Sequence, residues 1–270
     1  MSIANKQTVL KDSWKSANSY EDYMGRWSRL VAPRFLAWLG IPPQRSWLDV
    51  GCGTGALTQA ILSTADPKNV KGIDPSETFV AYARAQAGDK RASFVAGCLE
   101  EIASRAEKFD VIVSGLVLNF LPNPQNGLEL MKRATSDHGT VAAYVWNYST
   151  GMQLLSYFWD TAAELDTERA ALHEGRRFAI CEPQALKELY EGAGLNNISV
   201  KSLEIPTVFR DFDDYWQPFT WGQGPTGTYC ATLDEQQQQV LMERTRTRLP
   251  VKTDGTISLT ARAWAIRGTR

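Results

Sequence analysis

Three glycines separated by single residues, Gly51, Gly53 and Gly55, stand between the apolar run Trp47-Leu-Asp-Val50 and the segment Ala56-Leu-Thr58. The pattern predicts a buried strand, a tight turn and a helix start. Residues without side chains there let a ligand lie directly against the main chain. Gly51-x-Gly53-x-x-Ala56 also satisfies a relaxed dinucleotide fingerprint, so the glycines alone leave two kinds of cofactor open. Asp49 bears on the choice. A carboxylate two residues before the first glycine repels a pyrophosphate but suits a cofactor with a cationic aminoacyl end and no phosphate. Farther on, Val70-Lys-Gly-Ile-Asp74 reads as a second strand ending in an acid 23 residues after Gly51. That is close to the spacing at which such folds hold a ribose.

Asp49-x-Gly51-x-Gly53-x-Gly55 resembles the first motif of the class I S-adenosylmethionine-dependent methyltransferases of small-molecule type. The resemblance spans roughly residues 20–150 and implies S-adenosylmethionine as cofactor, S-adenosylhomocysteine as product and no metal. Asp49, Gly51, Cys52, Gly53 and Gly55 would cradle the cofactor, and Asp74 would accept hydrogen bonds from both ribose hydroxyls. Pro75 and Ser76 follow, one of them expected to cap a helix. Phe94-Val-Ala-Gly-Cys98-Leu99 matches the stretch where the family commonly carries an acid facing adenine. Cys98 replaces that acid, leaving the main chain at Cys98 and Leu99 to hold the base. Ser114, Gly115 and Leu116 would face the methionyl end. Tyr20 and Tyr23, with Trp14 and Trp27 nearby, would belong to an N-terminal lid, where Tyr23 covers the sulfonium and Tyr20 meets substrate.

These residues need elements to position them. Short apolar runs alternate with amphipathic stretches from Trp47 to Trp146, as in βαβ units on a parallel sheet. Strands are expected near 47–50, 70–73, 92–96, 109–114 and 140–146, with helices near 59–63, 77–87 and 125–135. A helix near 183–191 and a strand near 198–206 follow, and residues 256–266 alternate like a final strand, antiparallel by the resemblance. The expected fold class is α/β: a Rossmann-like, doubly wound seven-stranded sheet, mostly parallel, with helices on both faces. All 270 residues would form one domain, with a helical lid over 1–45, a cofactor-binding core over 46–147, and substrate-binding insertions over 148–182 and 211–250.

The insertions are rich in aromatics, and Trp146, Tyr148, Trp159 and Trp216, with Tyr20 and Arg177, are candidate substrate contacts. Candidate catalytic groups are His173, Tyr148 and Asn119, with Asp214 as a further possible base. His138, in Ser-Asp-His-Gly, reads as an exposed turn residue. Asn119 could orient substrate or cap a helix. An amine acceptor that arrives neutral needs alignment rather than a dedicated base.

A net charge of −1 gives no footprint for nucleic acid or an anionic membrane, and Ser114 to Phe120 lacks the stacking motif of DNA amino-methylating enzymes. A small-molecule substrate is therefore expected, on a monomer or homodimer. Cys52, Cys98, Cys181 and Cys230 form no CxxC pair, and no signal-peptide or membrane-spanning run is visible, so free thiols in the cytoplasm are expected. The alternatives are an NAD-dependent oxidoreductase, a cofactor-binding relative that transfers nothing, and arsenic methylation through converging thiols.

Overall fold

Seven strands form the sheet: β1 Ser46–Val50, β2 Asn69–Asp74, β3 Ala92–Ala96, β4 Phe109–Gly115, β5 Thr135–Trp146, β6 Asn196–Phe209 and β7 Ile257–Thr269. The computed structural model describes residues 17–166, 172–222 and 224–270, so Trp14 lies outside the described residues. The spatial order is β3-β2-β1-β4-β5-β7-β6. Strands β3, β2, β1, β4 and β5 pair in parallel, and β7 runs antiparallel between β5 and β6. The expected sheet is the observed one.

Burial explains the apolar runs. Trp47, Leu48, Ile112, Val113 and residues 141–143 are at 0% exposure, as strands covered on both faces require. The edge strand β6 alternates instead, burying Leu203, Ile205, Thr207 and Phe209 while Val208 is exposed. Strand β5 starts five residues before the expected position. It begins pairing at Thr135, opposite Phe109, and an irregularity before Thr140 accommodates exposed His138 at φ 62°.

Between the strands run α1 Ala17–Tyr20, α2 Arg26–Leu39, α3 Ala56–Thr64, α4 Glu77–Gln86, α5 Leu99–Ala103, α6 Pro124–Ala134, α7 Gln153–Leu165, α8 Glu174–Arg177, α9 Pro183–Gly192, α10 Phe212–Thr220, α11 Gly224–Cys230 and α12 Glu235–Arg248. A π-helical turn, Glu21–Gly25, joins α1 to α2. Ser76 caps α4 by accepting from the Phe79 amide, and Asn123 caps α6 with Pro124 at its first turn. Asp234 and Gln237 form a reciprocal capping box on α12, whose Gln236, Gln237 and Gln239 are exposed. Helix α2 packs on α3 and reaches β6 and β7, whereas α6 packs against both α5 and α9.

The two insertions pack together: α7 touches α11 and α12, and α10 touches α11. Phe158 of α7 lies 4.8 Å from Phe219, 5.2 Å from Trp159 and 6.0 Å from Tyr229, ring centre to ring centre. Phe158, Trp159 and Phe219 are almost wholly buried. Much of the aromatic content of the insertions is therefore an interior of its own.

Candidate functional site

The glycine turn is built by strand ends. Beyond β1, the Gly51 and Cys52 amides both donate to the Ile73 carbonyl at the end of β2, at 2.8 and 2.9 Å. Gly51 has φ 71°, and a Cβ there would sit 2.5 Å from a Val117 methyl, so both conformation and space demand glycine. Gly55, at φ 89°, starts α3 at Ala56, three residues before the expected helix.

Two buried acids flank this turn. Asp49 is 1% exposed; its Oδ2 accepts from the Thr58 hydroxyl at 2.7 Å, and its Oδ1 has no partner. Burial, aided by the nearby charge of Asp74 and opposed by Thr58, raises its pKa to about 7. Asp74 Oδ2 accepts from the Gly53 amide at 3.0 Å and Oδ1 from the Ser76 amide at 2.8 Å. Burial raises its pKa while the two amides oppose the rise. Each oxygen, held by one donor, keeps capacity for another.

A cavity of about 630 Å³ opens over these groups. It follows the carboxyl ends of five parallel strands, from Gly97 to Leu99 after β3, past Asp74 and Gly51 to Thr54, to Gly115 to Val117 and then Trp146 and Tyr148. The strand order reverses between β1 and β4, the place where open α/β sheets bind ligands. Its size lies within the range of small-molecule sites. Leu116 lines it at φ 62°, a strained angle for a side chain with a Cβ, held by its amide bond to the Tyr144 carbonyl at 2.8 Å.

The N-terminal segment roofs the cavity with Tyr20, Tyr23, Met24 and Ser28. The hydroxyls of Tyr23 and Thr226 are hydrogen-bonded at 2.8 Å, linking roof to α11. The Thr54 hydroxyl donates to Glu21, which also pairs with Arg29 at 2.9 Å. π-Helical turns recur at functional sites because they re-aim side chains, and this one buries Tyr23 and Met24.

Of the residues expected at the cofactor, Tyr23, Asp49, Gly51, Cys52, Gly53, Asp74, Pro75, Cys98, Leu99, Gly115 and Leu116 all line the cavity. Gly55 and Ser114 do not. Gly55 shapes the turn from behind, and the Ser114 hydroxyl donates to the Val50 carbonyl, tying β4 to β1. Tyr20, Trp146 and Tyr148 also line the wall, but the other substrate and catalytic candidates need correction. Trp159 and Trp216 belong to the aromatic interior of the insertions. The guanidinium of Arg177 stacks on Phe178 at 5.0 Å, away from the wall. His173 caps α8: its Nδ1 accepts from the Gly175 amide at 2.9 Å, burial lowers its pKa, and it is not a wall residue. Asn119 sits in the 3-10 turn Leu118–Phe120, 7% exposed with neither amide atom hydrogen-bonded, and only its neighbours reach the cavity. Asp214 lines a separate groove. Burial would raise its pKa, but the Arg210 amide and Arg26, paired at 2.9 Å, hold it below the usual value.

Tyr148 keeps its proton, because burial and then the neighbouring Cys181 and Glu174 push its pKa far up. It can donate a hydrogen bond but is no base. The sequence reading missed Glu174 itself, which is 1% exposed in the cavity wall. Its only signal was a place beside His173. Among the described residues no three histidine, cysteine or carboxylate side chains converge, so a thiol-bound arsenic site has no geometric support. No helix among them is long and apolar enough to cross a membrane.

Residues 48–143 match a family model described as "Methyltransferase domain". The malonyl-[acyl-carrier protein] O-methyltransferase of Halalkalibacterium halodurans is 26% identical over 171 residues, covering 60% of this chain and 63% of the relative. The 2-methyl-6-phytyl-1,4-hydroquinone methyltransferase of Synechocystis sp. is 25% identical over 219 residues, covering 80% and 65%. The structure of phosphoethanolamine N-methyltransferase 2 of Haemonchus contortus, in complex with phosphomonomethylethanolamine and S-adenosylhomocysteine, superposes with a TM-score of 0.55 at 14% identity, covering 94% of this chain and 56% of that one. The chain spans between 24% and 63% of the length of the first curated relatives it matches.

Proposed function

We propose that the chain carries a class I S-adenosylmethionine-dependent methyltransferase domain and methylates N, O, S or C of a small molecule by direct in-line displacement. The observation that carries the reading is the pair of buried acids around the glycine turn. Asp49 holds an unpartnered Oδ1 in the cavity wall, suited to an ammonium, and Asp74 presents two oxygens braced by the Gly53 and Ser76 amides, suited to two vicinal hydroxyls. The residues present therefore fit this cofactor. A pyrophosphate would meet both carboxylates, which weighs against the dinucleotide alternative.

When bound, the cofactor supplies an electrophilic methyl group on a sulfonium that departs as a neutral thioether. The chain's part is placement. Asp49 and Asp74 would fix the two polar ends of the cofactor, and Cys98 and Leu99 would pack at the base. Tyr20 and Tyr23 would close over it, excluding water and offering a cation an aromatic face worth ~0.5–2 kcal/mol. Trp146 and Tyr148 would orient the acceptor, Tyr148 as a donor. Holding two reactants in line can supply about 7–11 kcal/mol of the barrier without a dedicated base.

A roofed cavity of about 630 Å³ and a net charge of −1 favour a small acceptor over a polymer. The free thiols of Cys52, Cys98, Cys181 and Cys230 accord with the cytoplasm, and a monomer or homodimer belongs to the same reading.

The test is calorimetric titration of dialysed protein with S-adenosylmethionine and with NAD, repeated on Asp74→Ala. Binding of the first, lost in the variant, is expected. Binding of NAD alone overturns the proposal, as does binding of neither. Binding without methyl transfer to any of a broad panel of acceptors favours the non-methylating relative.

A further inference from the structure

Gly115 closes β4 without a positive φ, so its backbone does not call for glycine; space does. A Cβ there would lie 2.6 Å from the hydroxyl oxygen of Tyr144, whose phenol end fills the room a side chain would take. Strand register explains the meeting. Asp49 pairs with Val113, and Gly115, two residues beyond, pairs with Tyr144, so Asp49, Gly115 and Tyr144 share one face of the sheet. All three line the cavity, and Tyr144 is 1% exposed with its ring 4.8 Å from that of Phe35 on α2. Burial first, and then the neighbouring Asp49 and Tyr20, push the pKa of Tyr144 well above its ordinary value, so the hydroxyl keeps its proton. Other hydroxyls in this corner donate elsewhere: Thr58 to Asp49, Thr54 to Glu21 and Ser28 to the Met24 carbonyl. Tyr144 donates to none of these groups and lines the cavity beside them.

We propose that Tyr144 seats the aminoacyl carboxylate of the cofactor, its hydroxyl donating to that carboxylate while Asp49 takes the ammonium on the same carbon. The proposal deepens the methyltransferase reading and rests on it. An α-amino acid carries both charges on one carbon, so an ammonium held at Asp49 brings a carboxylate close to that acid. Left unmatched, the two carboxylates repel across a space that salt screens poorly. A neutral hydroxyl on the same sheet face answers the ligand carboxylate with a charge-assisted hydrogen bond and, unlike a lysine or arginine, does not compete with the ammonium for Asp49. Gly115 is the residue that lets the phenol stand there.

The test titrates two ligands, S-adenosylhomocysteine and its decarboxylated analogue, which keeps the amine and lacks only the carboxylate, into the unaltered protein and into Tyr144→Phe. The phenylalanine ring preserves the packing on Phe35. The unaltered protein is expected to favour S-adenosylhomocysteine by about tenfold or more, the worth of one hydrogen bond to a charged group. Tyr144→Phe is expected to lose about tenfold in affinity for S-adenosylhomocysteine and nothing for the analogue, so that most of the preference disappears. Equal losses for both ligands mark a structural role and overturn the proposal, as does no loss for either, or an unaltered protein that does not distinguish the two. Should the variant fail to fold, that last comparison still decides. Failure of the unaltered protein to bind either ligand refutes the cofactor reading itself, and the carboxylate seat falls with it.

Discussion

Asp49 ties the cofactor reading to a pH dependence with a definite sign. Its carboxyl is buried at 1% exposure, with one oxygen on Thr58 and the other unpartnered, and its pKa lies at about 7 rather than the ordinary 3.8. Between those two values the folded chain holds a proton that the unfolded chain has released. Ligand-free stability therefore falls as pH rises from about 4 to about 7, by on the order of 4 kcal/mol in total. A ligand ammonium reverses the preference, since it pairs only with the ionised form. Affinity for S-adenosylmethionine is expected to rise about tenfold between pH 5.5 and 7.5, limited by the ~1.5–3 kcal/mol of a charge-assisted hydrogen bond. Binding at pH 6 should release close to one proton, read from calorimetry in buffers of different ionisation heat. In Asp49→Asn the pH slope and the proton release should vanish. The affinity at pH 7.5 should drop about ten- to a hundredfold, and the ligand-free variant should be the more stable protein at pH 8. An affinity flat from pH 5.5 to 7.5, or the same slope in the variant, refutes the assignment of Asp49 to the ammonium.

The remaining expectations test the turn and the corrected residues. Gly51→Ala, which places a methyl 2.5 Å from Val117 at φ 71°, should cost ~1–3 kcal/mol of stability and abolish cofactor binding, checked by thermal melting and titration. Trp159→Ala should destabilise by ~3–5 kcal/mol in urea titrations while leaving cofactor affinity in the folded protein unchanged, because Trp159 is interior to the insertions. His173→Gln should remove no more than a helix cap worth ~1 kcal/mol and leave cofactor affinity at every pH unaltered; a changed pH profile would return His173 to the site.

The parallel half of the sheet was legible because each strand is buried on both faces and reads as an unbroken apolar run, as Leu48 and Ile112 show. The glycine turn and Asp74 were legible for a related reason: backbone geometry and a fixed spacing carry the chemistry. Long-range pairing was less so. Thr135-Ser-Asp-His-Gly139 has the composition of a turn, and only its partner Phe109 across the sheet makes Thr135 a strand residue. Aromatic content misled in the insertions, since Trp159 packed against Tyr229 at 5.4 Å has the same composition as Trp159 facing a substrate. Glu174 was invisible for the opposite reason. One acid in a polar stretch gives no pattern, and its importance arises only because α8 carries it inside.

The position of β7 between β5 and β6 also governs the order in which the molecule can be assembled during synthesis. Strands β1 to β5 occupy residues 46–146 without interruption from elsewhere in the sheet, so they can pair as they leave the ribosome. Strand β6 ends at Phe209 and pairs in the sheet with β7 alone, which begins at Ile257. Throughout the translation of that interval the open edge of β5 and the whole of β6 wait for one late segment, and unpaired strand edges invite association between chains. Two strand edges left unpaired late in synthesis are thus a property of this topology, and they are closed only when β7 has been made.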